Sequence, residues 1–309
     1  MQIDKNSVIL YLYDAQLCNP NGDPDEENRP RMDYATQTNL VSDVRLKRYL
    51  RDYFHTKGQK LYIPPTFPGE KVLNATERIQ EVLGKKKVSE GDIQLILENL
   101  IDVRLFGATL PIKGEKEKGG GQSISLTGPV QFSWGYSLHK VYLLETQTIT
   151  SHFASESDKQ QGTMGKDYRL KYSLIAFYGT ISKHFAKHTC LSQEDVRLFD
   201  QAMLKAIPQY STRSKVGQTP RLYIRFEFKG DEFPFCDLRP FLEVEGRENL
   251  SESEWRSVKD IRLNCQNLID YIQKKADFVE TTYYWKEELL EVSDDLEKHL
   301  PNVQPIVWE

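Results

Sequence analysis

Only four cysteines occur in the 309 residues, and Cys18, Cys190, Cys236 and Cys265 stand far apart with no C-x-x-C pair. That spacing argues against a disulfide framework and against a cysteine zinc site. No apolar run is long enough to span a bilayer, and the N-terminus lacks the basic, apolar and small-residue segments of a secretory signal. A cytoplasmic protein with no membrane partner is expected. The G-x-x-x-x-G-K-[S/T] phosphate loop is missing, as are a nucleophile elbow and any internal repeat. His184 and His188 stand four apart with Cys190 after them, but nothing supplies the other ligands of a zinc site. These residues indicate no metal, no cofactor and no enzyme.

Charge of one sign is not in excess either, with 41 Lys and Arg against 45 Asp and Glu. The distribution is uneven, however. Positions 243 to 309 carry 16 acids and 8 bases, which leaves 29 acids and 33 bases before them. The body is mildly basic and its clusters can track phosphates, while the acidic tail keeps the surface soluble.

What is present begins with the apolar run Val8-Ile9-Leu10-Tyr11-Leu12-Tyr13, within a strand expected over residues 7–17 and buried on both faces. It runs into Asn19-Pro20-Asn21-Gly22-Asp23-Pro24 and then the basic Arg29-Pro30-Arg31. Two prolines, with an Asn-Gly pair that tolerates positive φ, predict a shaped turn rather than strand or helix. Such a turn either reverses the chain or presents polar groups to a ligand.

A helix is expected over residues 38–56, with Leu46, Tyr49, Leu50, Tyr53 and Phe54 on one face and Arg45, Lys47, Arg48 and Arg51 on the other. The basic stripe suits a phosphate backbone or simply a solvated face. Residues 71–103 read as a helical insertion leading to Arg104. The glycine-rich stretch 113–121 has almost no apolar content and is expected to be mobile. From Ile124 the period changes to two, with Val130, Phe132, Trp134 and Tyr136 on one side of a strand. The polar segment 154–167 precedes a strand over 168–178 and is either a protruding hairpin or a disordered connection. Ser192 and Asp195 mark the start of another helix, and Leu222, Ile224, Phe226 and Phe228 alternate along a last strand after the basic turn Arg213–Gly217. Beyond 240, residues 267–275 read as helix and 278–285 as extended, while 255–265 fit either state. This order suggests an α+β, ferredoxin-like sandwich with large inserts. Asp14, Asp23 and Asp25 lie near the strand-end turn and are better suited to shaping it than to holding a metal.

Several motifs recur together. Asn19–Pro24, Asn28-Arg29-Pro30-Arg31, Asp43–Arg48, Asp102–Ala108, Thr127–Gly135, Gly162–Gly165 and Thr212–Gln218, in this order and spacing, resemble the CRISPR-associated Cas-seven family over about residues 6–230. The likeness is strongest to its Csh-two branch of type I-B systems, with the Csd-two branch of type I-C as neighbour. The resemblance implies a non-catalytic backbone subunit that polymerises along CRISPR RNA in a Cascade surveillance complex. Its implied partners are CRISPR RNA, further copies of the chain, other Cascade subunits, and target DNA by way of the guide. It also implies one elaborated domain shaped as a hand, with a modified RNA-recognition-motif palm over about 6–60, 122–153 and 168–240, fingers or web over about 61–121, and a thumb over about 154–167. The acidic region 241–309 receives no role. Carried onto this chain, the RNA-facing candidates are Asn19, Asn21, Arg31, Arg45, Lys47, Arg48, Arg51, Arg104, Met164, Lys166, Arg169, Arg213 and Lys215. The competing expectation is a metal-dependent, RNA-cleaving subunit of the type III kind that uses Asp23 or Asp25.

Overall fold

The computed structural model describes residues 1–111, 123–145, 148–150, 164–209 and 212–307. Its frame consists of β1 (Ser7–Gln16), α1 (Asp43–Thr56), β2 (Val130–Phe132), β3 (Gly135–Ser137), β4 (Tyr172–Ile181), α2 (Gln193–Gln209), β5 (Gln218–Phe228) and β6 (Val279–Lys286). Among the described residues these strands form a nine-stranded sheet in the order Val303–Pro305, β6, β5, β1, β4, β3, Thr38–Val41 and Met32–Asp33, with β2 also paired to β4. β1 lies antiparallel to both β4 and β5. The chain is thus a mixed α+β protein organised on a central first strand.

The unbroken apolarity of β1 has a simple cause. Ile9, Tyr11, Tyr13 and Ala15 point into a core shared with α1 and α2, whereas Val8, Leu10 and Leu12 point into a second core on the opposite face. That second core is made largely by the C-terminal region, through Leu238, Trp255, Leu263, Leu268 and Ile272. The segment left without a role by the sequence therefore covers one face of β1, β4 and β5. Residues 261–264, which fit either state, form a strand paired with Glu243–Gly246. Pro220 is tolerated inside β5 because it stands opposite Tyr13, where the register with β1 shifts.

Three expectations are corrected. Residues 38–41 form a strand between β3 and Met32–Asp33, and the helix begins only after Ser42, whose Oγ accepts from Arg45 N at 3.3 Å. Pairing of β-branched and apolar residues on the sheet outcompetes helix propensity there. The strand expected over 168–178 starts at Tyr172, because Tyr168 and Leu170 are buried as an irregular approach to it. In the insertion the first helix waits for the Asn74 capping box and runs Ala75–Leu83, followed by Ile93–Asn99 and Ile101–Phe106 around a small core of Ile79, Ile96, Leu97 and Val103. The stretch 113–121 lies outside the described residues.

His139 joins the sheet to the C-terminal region. Its ring stacks on Tyr172 at 5.7 Å and meets Trp255 edge-on at 4.9 Å, while Nε2 accepts from Leu174 N and Nδ1 donates to Lys140 O. Burial pushes its pKa down to about 4, so the folded protein holds it neutral. An unfolded histidine binds a proton below about 6.5, so this stability is present at pH 7 and drains as pH falls toward 4. Asp14 carries the opposite bias: burial pushes its carboxyl up to about 6, only partly offset by Arg221 at 2.9 Å. A difference measurement separates the two. Between pH 7 and pH 4 the wild type should lose about 3 kcal/mol more unfolding free energy than His139→Gln. Equal pH slopes for the two proteins would contradict this account of His139.

Candidate functional site

The strand-end turn is a small hairpin rather than an unpaired loop. Gly22–Asp23 pairs with Arg29–Pro30, and the chain returns through Glu27 and Asn28, both at positive φ. Gly22 itself does not use positive φ; it is required for closeness, since a Cβ there would fall 1.9 Å from Asn28 Oδ1. Asn19 is buried and donates to Asn28 O at 2.7 Å. Asn21 Oδ1 accepts from both the backbone N and the Oγ of Ser42 at 2.9 Å, fastening the turn to the N-cap of α1. Both asparagine side chains build the turn. Asp23 is likewise occupied, holding Arg31 at 2.9 Å and capping Asp25 N at 3.2 Å.

Around this hairpin the structure gathers cations from four parts of the chain. Lys215 Nζ donates to Asn19 O at 2.5 Å, and burial together with the neighbouring Arg45 charge pushes its pKa down to about 8. Two like charges placed together in a partly desolvated spot favour an anion. The Arg45 guanidinium lies 4.1 Å over the Tyr49 ring, and Arg31 lies 5.8 Å from the ring centre of the exposed Trp134. Arg29 sits 4.7 Å over Tyr168, whose hydroxyl donates to Glu27, the carboxylate that also binds Lys166 at 2.7 Å. Asp167 bridges Arg169 at 2.9 Å and Arg213 at 3.0 Å. Arg169 also donates to Leu17 O at 2.8 Å. The arginines and lysines of this surface outnumber Asp23, Glu27 and Asp167, the acids that pair them.

The structure does not bring the whole sequence-derived set here. Arg51 is buried against Asp102 at 3.0 Å, and Arg104 is bidentate to Asp195 at 2.6 and 2.9 Å. Arg48 binds Asp52 and the Ile63 and Pro64 carbonyls. Lys47 pairs with Asp43 at 3.0 Å. The basic face of α1 is therefore mostly a set of tethers between that helix and its neighbours, not an open stripe. Most of 154–167 and the Met164 side chain lie outside the described residues, although Met164–Lys166 pairs with Thr148–Thr150. Arg29, Tyr168 and Trp134 join the surface without having been singled out as ligand contacts. Arg29 and Trp134 carried a local signal, since each falls inside a motif of the family resemblance, whereas Tyr168 did not.

The sheet and this corner define an α+β protein with a cationic strand-end surface suited to extended polyanions. The chain belongs to the family of CRISPR-associated protein Cas7, whose family model matches residues 5–266. It is 35% identical over 295 residues to the CRISPR-associated protein Cas7 of Haloferax volcanii, covering 90% of this chain and 85% of that one. Its fold is similar to a chain of a CRISPR RNA-guided surveillance complex in a pre-nicking state, with a TM-score of 0.57, 14% identity and coverage of 98% and 96% of the two chains. A chain of a second CRISPR RNA-guided surveillance complex gives a TM-score of 0.53 at 16% identity, with coverage of 97% and 94%. Family likeness thus runs past residue 230 into the C-terminal region. No described helix is long and apolar enough to cross a membrane.

Proposed function

We propose that the chain is a non-catalytic backbone subunit that holds CRISPR RNA by its phosphates in a Cascade surveillance complex, of the Csh-two kind in a type I-B system. The observation that carries this reading is the contiguous cationic surface built around the Asn19–Asp23 hairpin, on a chain of the Cas7 family. A scaffold for any guide sequence needs phosphate contacts and apolar packing rather than base-edge readout. β1, α1, β2 and β3, β4, α2 and β5 follow the β-α-β-β-α-β order of a ferredoxin-like, RNA-recognition-motif palm, with the fourth strand beside the first and the first beside the third. Residues 61–121 then supply fingers or web and 154–167 the thumb. The sheet face that such motifs normally offer to RNA is filled here by the C-terminal region, which directs RNA to the strand-end edge instead. Asp23 held by Arg31 supports a structural rather than a nucleolytic role for that acid.

The purified protein is expected to carry RNA, to bind single-stranded RNA with little sequence preference and a steep salt dependence, and to form filaments on it. Other Cascade subunits and target DNA, paired to the guide, would join that assembly. Absence of RNA binding at low salt would refute the reading. Regular Mg²⁺-dependent cleavage of complementary RNA that Asp23→Ala abolishes would replace it with the nuclease alternative.

A further inference from the structure

Leu17 follows β1 directly and has φ +49°, the left-handed region that disfavours a side chain as bulky as leucine. Glycine or asparagine normally occupies such a position. Burial does not repay the conformation, because the residue is 46% exposed. Its backbone is fully used, N donating to Lys171 O at 3.2 Å and O accepting from Arg169 at 2.8 Å. The segment alongside is held by Gln16 N to Gly217 O at 2.7 Å and Asn19 N to Ser214 O at 2.9 Å. It presents a second aliphatic residue, Val216, at 59% exposure. Arg169, Lys215 and the 64% exposed Arg213 side chain surround this pair. A strained, exposed residue in a cationic ring is where a fold stores a functional constraint.

We propose that Leu17, with Val216 beside it, is an apolar wedge that packs against a nucleobase of the single strand whose phosphates lie on the surrounding cations. Among the described residues, Arg169, Arg213 and Lys215 have only the Asp167 carboxylate between them, so an apolar protein partner would bury excess positive charge without neutralising it. A single-stranded nucleic acid supplies apolar base faces and anions at the same short spacing, and aliphatic wedges against bases are an established mode of contact. The inference rests on the guide-binding reading and adds a base contact to its phosphate contacts.

Leu17→Gly and Leu17→Asn both accept the left-handed backbone, so they delete the wedge without straining the fold. The full-length variants should have a Tm no lower than the wild type while their affinity for a labelled 30-mer of oligo(U) falls about tenfold. The salt slope of that binding should not change, because no phosphate contact is lost. Competition by inorganic polyphosphate, which has no bases, should be the same for all three proteins. Variants that bind oligo(U) like the wild type overturn the wedge and leave the guide-binding reading intact. A wild type that binds no oligo(U) overturns both. Parallel loss of Tm and affinity would assign Leu17 to packing, and weakened self-association with unchanged RNA affinity would assign it to contact between copies.

Discussion

Replacing Asp200 by alanine is expected to cost roughly 3–5 kcal/mol of folding stability, the largest effect of any single substitution considered for this chain. Asp200 on α2 faces Arg225 at the middle of β5, with Nε to Oδ1 at 2.9 Å and Nη2 to Oδ2 at 2.7 Å, and Tyr223 donates to the same Oδ1 at 2.6 Å. Arg225 is 3% exposed and packs 3.9 Å from the centre of the Tyr283 ring. Burial lowers its pKa and Asp200 more than offsets this in the intact protein; without Asp200 the guanidinium is still too basic to escape isolation by losing its proton. Truncating Asp200 removes both of its short charge-assisted bonds and leaves that buried charge only the longer contacts to Glu227 at 3.4 Å and Ser7 Oγ at 3.3 Å. Urea unfolding should show the loss, with Tm lower by roughly 10 °C. Replacing the pair together, Asp200→Leu with Arg225→Met, should recover most of it, since an apolar pair of similar volume removes both the attraction and the desolvation cost. A loss below about 1 kcal/mol in the single variant would mean that water reaches Arg225 after all.

The same pair shows where sequence reading succeeds and where it stops. The alternation of Leu222, Ile224, Phe226 and Phe228 predicts β5, yet it places Arg225 on what reads as the polar side of that strand. The structure buries Arg225, because α2 packs over that face and brings Asp200 to it. Local signals are legible: Ser192 and Asp195 do begin α2, with Asp195 N donating to Ser192 Oγ at 3.1 Å. Asp195 also binds Arg104, 91 positions away, and Asp102 binds Arg51 across 51 positions. No periodicity encodes such pairings, so cations that look free along a helix face can be consumed by acids distant in sequence. In the C-terminal region the helix Gln266–Gln273 and the strand Val279–Lys286 were legible, while residues 255–265 and the role of the whole region were not, for a related reason. Its short strands acquire an apolar partner only from the sheet face they cover. At the strand-end turn, residue chemistry predicted a shaped, presented element, but not that Asn19 and Asn21 would be spent inside it.

This division of cations yields the second large expected effect. Neutralising Arg31, Arg213 and Lys215 together, with methionine at 215 to keep the buried stem, should weaken single-stranded RNA binding at low salt on the order of 10²-fold. The salt slope of log K should flatten by about 2, since each lost phosphate contact on a single strand removes about 0.7. Fluorescence anisotropy across a salt series reads both quantities. Arg51→Met and Arg104→Met remove the same kind of charge, but from tethers to Asp102 and Asp195. They should lower stability while the folded fraction binds RNA with the wild-type salt slope. Lys215 adds a pH signature. Its free pKa of about 8 rises when a phosphate arrives, so affinity should be full below pH 8 and fall as pH passes through it, a dependence that Lys215→Met lacks. If instead the Arg51 and Arg104 variants flatten the slope and the Arg31, Arg213 and Lys215 variant does not, the RNA path follows the face of α1, and the strand-end surface serves some other anion.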